Sequence, residues 1–218
     1  IRLSFVTMPF WRWFLHRSVH ERRLLMIATA ISLSVPFLPS CTKQGDTAFQ
    51  LMTLDVGNGS CHIVTGPKGH VMIDGGSTSR RMCAQKIIIP ALESIGAGSL
   101  EAVIITHANL DHYAAIADLV SCIPIGRIFI GSSFLERARD RPDGPEEGLL
   151  GAARTWSVPV EVVSSGRVET LAGLRWRFIH PDSSALWRNE NDASLVFRVE
   201  ELDDSCADRS MMLFTGDI

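Results

Sequence analysis

Two histidines and an aspartate stand close together in the stretch THANLDH (106–112), at His107, Asp111 and His112, with Asn109 between them. Two imidazoles and a carboxylate suit Zn²⁺ or a similar borderline metal. Such an ion lowers the pKa of a coordinated water and polarises a phosphoryl or carbonyl oxygen. In the alternative interpretation, Asp111 caps a following helix and His107 is an ordinary polar residue. The short pattern leaves both interpretations open.

The stretch lies where a strand is expected to end. The apolar run LEAVIIT (100–106) leads directly into it, and a helix is expected over 112–122. Loops at the carboxyl ends of strands often carry functional groups in α/β folds, because the rigid sheet positions them. In an extended loop, residues 107, 109 and 111 project to one side while His112 joins them from the start of the helix. The strand end therefore favours a functional site.

The flanking patterns predict a mixed α/β sandwich. Upstream, we expect strands over 50–56, 60–66 and 70–74, a tight turn at GNG (57–59), and a helix over 82–95 with a kink at Pro90. Downstream, we expect a strand over 126–131, helices around 133–139 and 146–156, and strands over 158–163, 166–171, 174–181, 194–201 and 210–217. Short connections indicate that these last strands are mostly antiparallel.

Bulk composition suits one globular domain, with or without a membrane segment. The chain has 218 residues, 46% of them hydrophobic, and a net charge of −3. Residues 1–42 carry five arginines and one glutamate, so the remainder is acidic at −7 and gives no bulk electrostatic argument for nucleic acid. No CxxC pair is present, which excludes a zinc ribbon or thioredoxin-type motif.

Residues 24–42 contain no charged side chain. Nineteen such residues are about the length that crosses a hydrocarbon core of ~30 Å. Arg17, Arg22 and Arg23 precede the run, which favours a cytoplasmic start. One interpretation is the last transmembrane helix of a larger membrane protein. The other is a signal peptide that starts near Met8 and has LPSC (38–41) as a lipoprotein-type cleavage site.

Both interpretations place residues 43–218 outside the cytoplasm. The chain thus divides into a basic, aromatic segment over 1–23, an anchor or signal segment over 24–42, and a domain over 43–218. Because it begins with Ile1 and ends directly after a predicted strand, we expect a domain that is incomplete at its C-terminus.

Four strand-ending motifs occur in the order LDVGNGSCHIV, HVMIDGGS, VIITHANLDH and MLFTGDI. This order resembles that of the metallo-β-lactamase fold superfamily. THANLDH resembles its HxHxDH motif, IDGG its early Asp-Gly motif, and FTGD the segment that supplies a bridging aspartate. A narrower resemblance is to the lactamase-like domain of the ComEC family of competence membrane proteins. It rests on LDVGNGS, on NENDASLVFRV (189–199), and on the order of a basic segment, an apolar helix and a short linker before LDVG. The resemblance covers about residues 22–218.

The resemblance implies an αββα sandwich that binds one or two Zn²⁺ ions, with Mn²⁺ or Mg²⁺ as alternatives. It implies Asp111 and His112 as catalytic residues, and Asp74 close beneath the metals. Asn58 and Asn191 are expected beside the metals or on the substrate side. The implied metal ligands are His107, Asn109, Asp111, His112 and Asp217.

The sequence departs from the family pattern at several positions. Asn109 replaces the second histidine of HxHxDH, and an amide oxygen is a weak, neutral ligand for zinc. No later histidine is evident for the same metal position, where Asn191 is the candidate substitute. We therefore favour a site of Asp111, His112 and Asp217 over one of His107 and Asn109.

Three functions remain open. The first is a metal-dependent hydrolase that forms the extracytoplasmic nuclease-like domain of a ComEC-type DNA-uptake protein, with DNA as substrate and the channel part of a larger membrane protein as partner. The second is a membrane-anchored hydrolase of a small ester, amide or phosphate. The third is a metal-free structural or binding descendant of the fold, which Asn109 favours and the retained histidines and aspartates oppose.

Overall fold

The computed structural model describes residues 49–182, 187–202 and 210–218, which belong to one compact unit, Asp46–Ile218. The predicted segments 1–23 and 24–42 lie outside the described residues. Within the described part of the chain, no helix is both long enough and apolar enough to span a bilayer.

The first sheet of the described chain carries six strands in sequential order. β1 and β2 form an antiparallel hairpin, β3 pairs antiparallel with β2, and β3 to β6 run parallel. Its strands are β1 (Gln50–Thr53), β2 (His62–Gly66), β3 (Gly69–Ile73), β4 (Ala102–Ile104), β5 (Ile128–Ile130) and β6 (Val160–Val162).

The second sheet is antiparallel in the order β10-β9-β8-β7 within the described residues. Its strands are β7 (Val168–Leu171), β8 (Leu174–His180), β9 (Val196–Glu201) and β10 (Ser210–Phe214).

Helical segments follow the parallel strands of the first sheet. They are α1 (Ala84–Ile88, a π-helical turn), α2 (Ile89–Ser94), α3 (Leu110–Tyr113), α4 (Ile116–Leu119), α5 (Ser132–Asp140) and α6 (Pro145–Thr155).

Alternating side chains of the first sheet build two separate cores. Val103 and its neighbours on one face pack against the helices, in a cluster that includes Ile116 and Phe134. Ile104, on the opposite face, packs against the second sheet in a cluster that includes Trp176. This two-residue period is what a strand buried on both faces requires. The predicted mixed α/β sandwich is therefore confirmed.

One local expectation was wrong for a tertiary reason. GNG is not a tight turn but part of a loop that runs from Leu54 to Cys61 and whose Asn58 bonds to Thr78. The expectation of mostly antiparallel strands is confirmed for β7 to β10. The strand expected over 158–163 is the exception: it is β6, which joins the first sheet in parallel because α6 carries the chain across the sheet before it. The helix expected over 82–95 is continuous from Ala84 to Ser94, with the π-helical turn leading directly into α2 and Pro90 in the first turn of α2; the kink expected at Pro90 remains a prediction.

The single helix expected over 112–122 is two short helices, α3 and α4. The amide of Ala115 donates to the carbonyl of Gly75, and the carbonyl of His112 accepts from the amide of Gly75. These bonds to another segment replace those that would continue α3, so the helix stops and the His112 segment is fixed to the end of β3.

Candidate metal centre

The site forms at one edge of the first sheet, where β3 and β4 end. These strands are parallel neighbours, so Asp74 and the segment that begins at Thr106 emerge side by side. The amide of Asp74 donates to the carbonyl of Ile104 at 2.8 Å, and its backbone then turns with a φ of 56°. Aspartate tolerates this left-handed conformation better than most residues, and here it places the carboxylate in the interior.

Glycine after Asp74 lets two backbone segments touch. A Cβ atom on Gly76 would lie 2.4 Å from the backbone carbon of Asp111 and 2.5 Å from the amide nitrogen of His112. Only glycine leaves room for this approach. The DGG sequence therefore allows α3, which contains His112, to pack directly against the end of β3.

A buried hydroxyl connects Asp74 to both histidines. Oγ1 of Thr106 lies 3.0 Å from each carboxylate oxygen of Asp74 and 3.1 Å from Nδ1 of His107. Nδ1 of His112 donates to Oδ2 of Asp74 at 2.8 Å. Because the hydroxyl proton of Thr106 goes to the carboxylate, its oxygen accepts from Nδ1 of His107. Both imidazoles thus carry their proton on Nδ1, and both Nε2 lone pairs are left free.

The two Nε2 atoms meet the carboxylate of Asp217. Oδ2 of Asp217 lies 3.9 Å from Nε2 of His107 and 3.4 Å from Nε2 of His112. Nε2 of His107 is buried without a hydrogen-bond partner. One ligand atom from each of the three residues lies within 4.8 Å of the others, the one such group found among the described residues.

Asp217 reaches the site from the second sheet. It follows β10 through a turn in which Gly216 has a φ of 56°. The amide of Asp217 donates to Oγ of the buried Ser194 at 3.4 Å. The amide of Leu195 donates to the carbonyl of Thr106 at 2.7 Å. The two sheets are thus joined at the point where the three candidate ligands converge.

Burial and charge set the two histidine pKa values in opposite directions. Burial, together with the nearby His112, lowers the pKa of His107, so this ring is held neutral. Burial also acts to lower the pKa of His112, but the hydrogen bond to Asp74 and the charges of Asp74, Asp217 and Asp111 outweigh it and raise the pKa. A metal at Nε2 of His112 therefore competes with a proton up to a higher pH than it would at an ordinary histidine.

Asp111 lies on the outer side of the cluster. Its Oδ2 is 4.0 Å from Nε2 of His112, and its side chain is one-third exposed. It does not cap α3, as the alternative interpretation of the sequence required, because Asn109 is the residue at the N-cap and Asp111 lies in the first turn. The carboxylate is thus left available to the cluster or to a bound molecule.

The asparagines predicted for the site are placed differently. Nδ2 of Asn109 donates to Oδ1 of Asn191 at 3.0 Å, so the two are paired with each other beside the histidines. Asn58 is exposed, and its side chain donates to Oγ1 of Thr78 rather than to a member of the cluster. The roles predicted for all three remain predictions.

Two residues of the metal centre, Thr106 and Ser194, were not predicted from the sequence. Thr106 carried a usable signal, since a hydroxyl residue at the end of a buried strand directly before a histidine can bond to that histidine. Ser194 carried no such signal, because it accepts a hydrogen bond from the amide of Asp217, which lies 23 positions further along the chain. His62 lines the cavity of about 210 Å³ beside the cluster, but both of its ring nitrogens are hydrogen-bonded, one to Thr53 and the other to Ser60.

The donors present fit a divalent metal. Two neutral-tautomer imidazoles with free Nε2 atoms, held through Nδ1 by a carboxylate and a hydroxyl, form the arrangement that zinc-binding histidines commonly have. A buried nitrogen with no partner is costly unless an ion or another group satisfies it. His107, His112 and Asp217, with Asp111 beside them, are thus the residues that could hold the ion.

The fold and the site together define a class of protein. The sequence profile of the Metallo-beta-lactamase superfamily matches residues 54–185, and the chain belongs to this superfamily. The chain is also 28% identical, over 203 residues, to ComE operon protein 3 of Bacillus subtilis strain 168, a ComEC-like protein. That match covers 84% of the chain and 25% of the relative, so the chain spans about a quarter of the relative's length.

Solved metallo-β-lactamases are similar at lower identity. MEM-A1, a subclass B3 enzyme from a soil metagenome library, shares 14% identity at a TM-score of 0.49, over 75% of this chain and 59% of that one. The Rm3 metallo-β-lactamase shares 18% identity at a TM-score of 0.48, over 76% of this chain and 58% of that one. A protein from Thermotoga maritima described as a putative metallo-β-lactamase shares 13% identity at a TM-score of 0.46, over 70% of this chain and 73% of that one.

Proposed function

We propose that the chain is a metal-dependent phosphodiesterase, the nuclease-like domain of a ComEC-type DNA-uptake protein. The observation that carries the metal assignment is the buried, unpartnered Nε2 of His107, which faces the carboxylate of Asp217 beside the free Nε2 of His112. Similarity to ComE operon protein 3 along 84% of the chain supports DNA rather than a β-lactam as substrate.

His107, His112 and Asp217 would hold the ion, and Asp111 would complete the set on the solvent side. A divalent ion there supplies Lewis acidity toward a phosphoryl oxygen and makes a water more acidic. Asp74 and Thr106 keep the protons of both histidines on Nδ1, so the orientation of the rings is fixed before any ligand arrives.

We assign proton exchange with the substrate to Asp111, because the other carboxylate of the cluster, Asp217, already lies against both Nε2 atoms. Its carboxylate is partly exposed, whereas both imidazoles are buried. In this proposal Asp111 accepts a proton from the attacking water, while His112, whose Nδ1 is bonded to Asp74, uses Nε2 to hold the ion. The adjoining cavity of about 210 Å³ is large enough for one phosphate group but smaller than the ~300 Å³ at which whole-ligand pockets begin.

The membrane setting is part of the same proposal. Residues 24–42 anchor the chain or direct its export, residues 43–218 lie outside the cytoplasm, and the domain works beside the channel part of a larger membrane protein. The uncharged run of nineteen residues and the arginines before it support this arrangement.

Metal content is the first test. Elemental analysis of the purified full chain should find stoichiometric zinc or manganese, and the metal should be lost in the His107→Ala/His112→Ala double variant. His70→Ala is the matched control, since this histidine bonds to Thr65 on the antiparallel hairpin away from the cluster. A folded parent protein with no metal above background would contradict the proposal.

Substrate class is the second test. The metal-loaded protein should hydrolyse single-stranded DNA and the small diester bis(p-nitrophenyl) phosphate, and His112→Ala should abolish both activities. Turnover of a β-lactam or a carboxylic ester, with no turnover of either phosphodiester, would favour the small-molecule hydrolase instead.

One observation favours a metal-free descendant of the fold as the second candidate. Asn109 and Asn191, at the positions where the family pattern would supply histidines, satisfy each other through a hydrogen bond. Such a pair needs no ion to offset its burial. This candidate predicts a folded protein without metal, so the elemental analysis separates it from the phosphodiesterase.

A further inference from the structure

A polar cleft of about 700 Å³ opens at the carboxyl end of β5, the strand next to β4 in the first sheet. Helix α5 forms one wall, beginning with Ser132 and Ser133, and the segment from Trp187 to Ala193 forms the other. The volume falls in the range of sites that bind small organic ligands, ~300–1,000 Å³. No role in the metal cluster accounts for this cleft.

The cleft and the metal centre share an edge of the sheet and a loop. β4 and β5 are parallel neighbours, so Thr106 after β4 and Ser132 after β5 emerge at the same edge. The wall segment contains Asn191, which accepts from Asn109, and it continues into Ser194, which contacts the Asp217 amide. A polymer held in the cleft therefore lies next to the candidate ligands.

Trp187 gives the cleft an aromatic surface. Its half-buried indole packs edge-on against His180, with ring centroids 4.8 Å apart. Nδ1 of His180 in turn donates to the carbonyl of Ser194 at 2.9 Å. The tryptophan is thus braced from behind while it lines the cleft, as a platform for a flat ligand must be.

The charges of the cleft leave one arginine available. Arg137 and Arg141 both pair with the buried Glu146, and Arg137 also pairs with Glu190. No carboxylate of the described residues pairs with the third arginine, the exposed Arg188. The exposed Glu136 and Asp140 continue the wall toward the end of α5 and would repel phosphates there. An anionic polymer is therefore attracted by Arg188 and repelled by Glu136 and Asp140.

We propose that this cleft binds one nucleotide of a single-stranded DNA, with the base stacked on Trp187 and a backbone phosphate paired with Arg188. The inference rests on the proposed function, because it supplies the substrate contact next to the hydrolytic centre. Stacking on an aromatic ring requires an unpaired base, which a duplex does not offer, and it is tolerant of base identity. The site thus selects single strands without selecting sequence.

Binding should be measured by fluorescence anisotropy of a labelled oligothymidylate on the full chain, with EDTA present so that no turnover occurs. Trp187→Ala should weaken binding about 5- to 150-fold, the range for loss of one stacked base. Trp187→Phe should retain most of the affinity because it keeps an aromatic face. Arg188→Ala should weaken binding and flatten the plot of log affinity against log salt by about 0.7, one phosphate contact on a single strand.

Matched controls are available on the same chain. Trp156 is exposed and lines a different pocket, and Arg139 is an exposed arginine of α5 that does not line this cleft. Trp156→Ala and Arg139→Ala should bind like the parent. Equal losses in control and cleft variants, or equal affinity for a duplex of the same length, would overturn the proposal.

Hydrolysis of bis(p-nitrophenyl) phosphate separates this inference from the proposed function. That diester is too small to need the cleft, so the cleft variants should hydrolyse it at the parent rate while their KM for single-stranded DNA rises. Unchanged DNA binding and KM in Trp187→Ala and Arg188→Ala, with diester hydrolysis intact, would refute the cleft and leave the phosphodiesterase standing. Loss of DNA binding in these variants of a protein without hydrolytic activity would refute the phosphodiesterase and leave the cleft standing.

Discussion

Replacing Thr106 with valine removes a single hydroxyl from the centre of the site while nearly preserving the shape of the side chain. In the parent, Oγ1 of Thr106 is within 3.1 Å of both carboxylate oxygens of Asp74 and of Nδ1 of His107. Asp74 keeps two other donors in the variant, the Thr106 amide at 2.8 Å and His112 at 2.8 Å. His107 has no other acceptor for the proton on Nδ1, so this ring loses the bond that fixes its tautomer and orientation.

The size of the effect follows from these contacts. A buried donor left without its acceptor costs about 1–3 kcal/mol, so the free energy of unfolding in EDTA should fall by that amount. Partners that orient metal-binding histidines are typically worth about 10–100-fold in metal affinity, so we expect zinc to bind Thr106→Val at least about tenfold more weakly. Denaturant unfolding in EDTA measures the first quantity, and competition with a chromophoric chelator measures the second.

Thr106→Ser is the control, since it keeps the hydroxyl and loses only a methyl group. It should bind zinc with nearly the parent affinity. A Thr106→Val protein that matches the parent in both zinc affinity and stability in EDTA would show that the hydroxyl does not organise the histidines, and the tautomer assignment would have to be abandoned.

Three further predictions concern the backbone, the buried charge and the proton at the site. Gly76→Ala should destabilise the fold and weaken zinc binding because its Cβ would lie 2.5 Å from the His112 amide nitrogen, whereas Gly98→Ala, with open space around it, should do neither when both are measured by thermal unfolding with and without zinc. Glu146→Ala should lower the free energy of unfolding by about 1.5–3 kcal/mol because it removes a buried carboxylate that accepts hydrogen bonds from Arg137 and Arg141. Glu147→Ala, which removes a more exposed pair, should cost less than about 1 kcal/mol in the same denaturant titration, and equal losses would contradict this account. Since the pKa of His112 is raised above its ordinary 6.5, zinc affinity should increase as pH rises through that pKa, with proton release that calorimetry in buffers of different ionisation enthalpy detects; an affinity independent of pH between about 6 and 8 would rule this out.

Local patterning in the sequence was sufficient for the order of the elements and for the location of the site. Alternating and apolar runs predicted the strands because a side chain on a strand repeats its direction every two residues, and the polar stretch after LEAVIIT marked where β4 ends. His107 and His112 are five positions apart, so one loop and one helical turn are enough to bring them together. The motif order also predicted the superfamily, which the match over residues 54–185 confirmed.

Contacts between distant segments decided the rest. The hydrogen bonds of Gly75 ended α3 before the apolar pattern did, and α6 placed β6 in the first sheet. No local rule could pair Asn109 with Asn191, which is 82 positions away, or bring Asp217 from the second sheet to the histidines of the first. The sequence alone showed which residues were candidate ligands, but the packing of the two sheets decided which of them come together in one cluster. Only that packing brings a carboxylate oxygen of Asp217 to within 4.8 Å of the ligand atoms of both imidazoles.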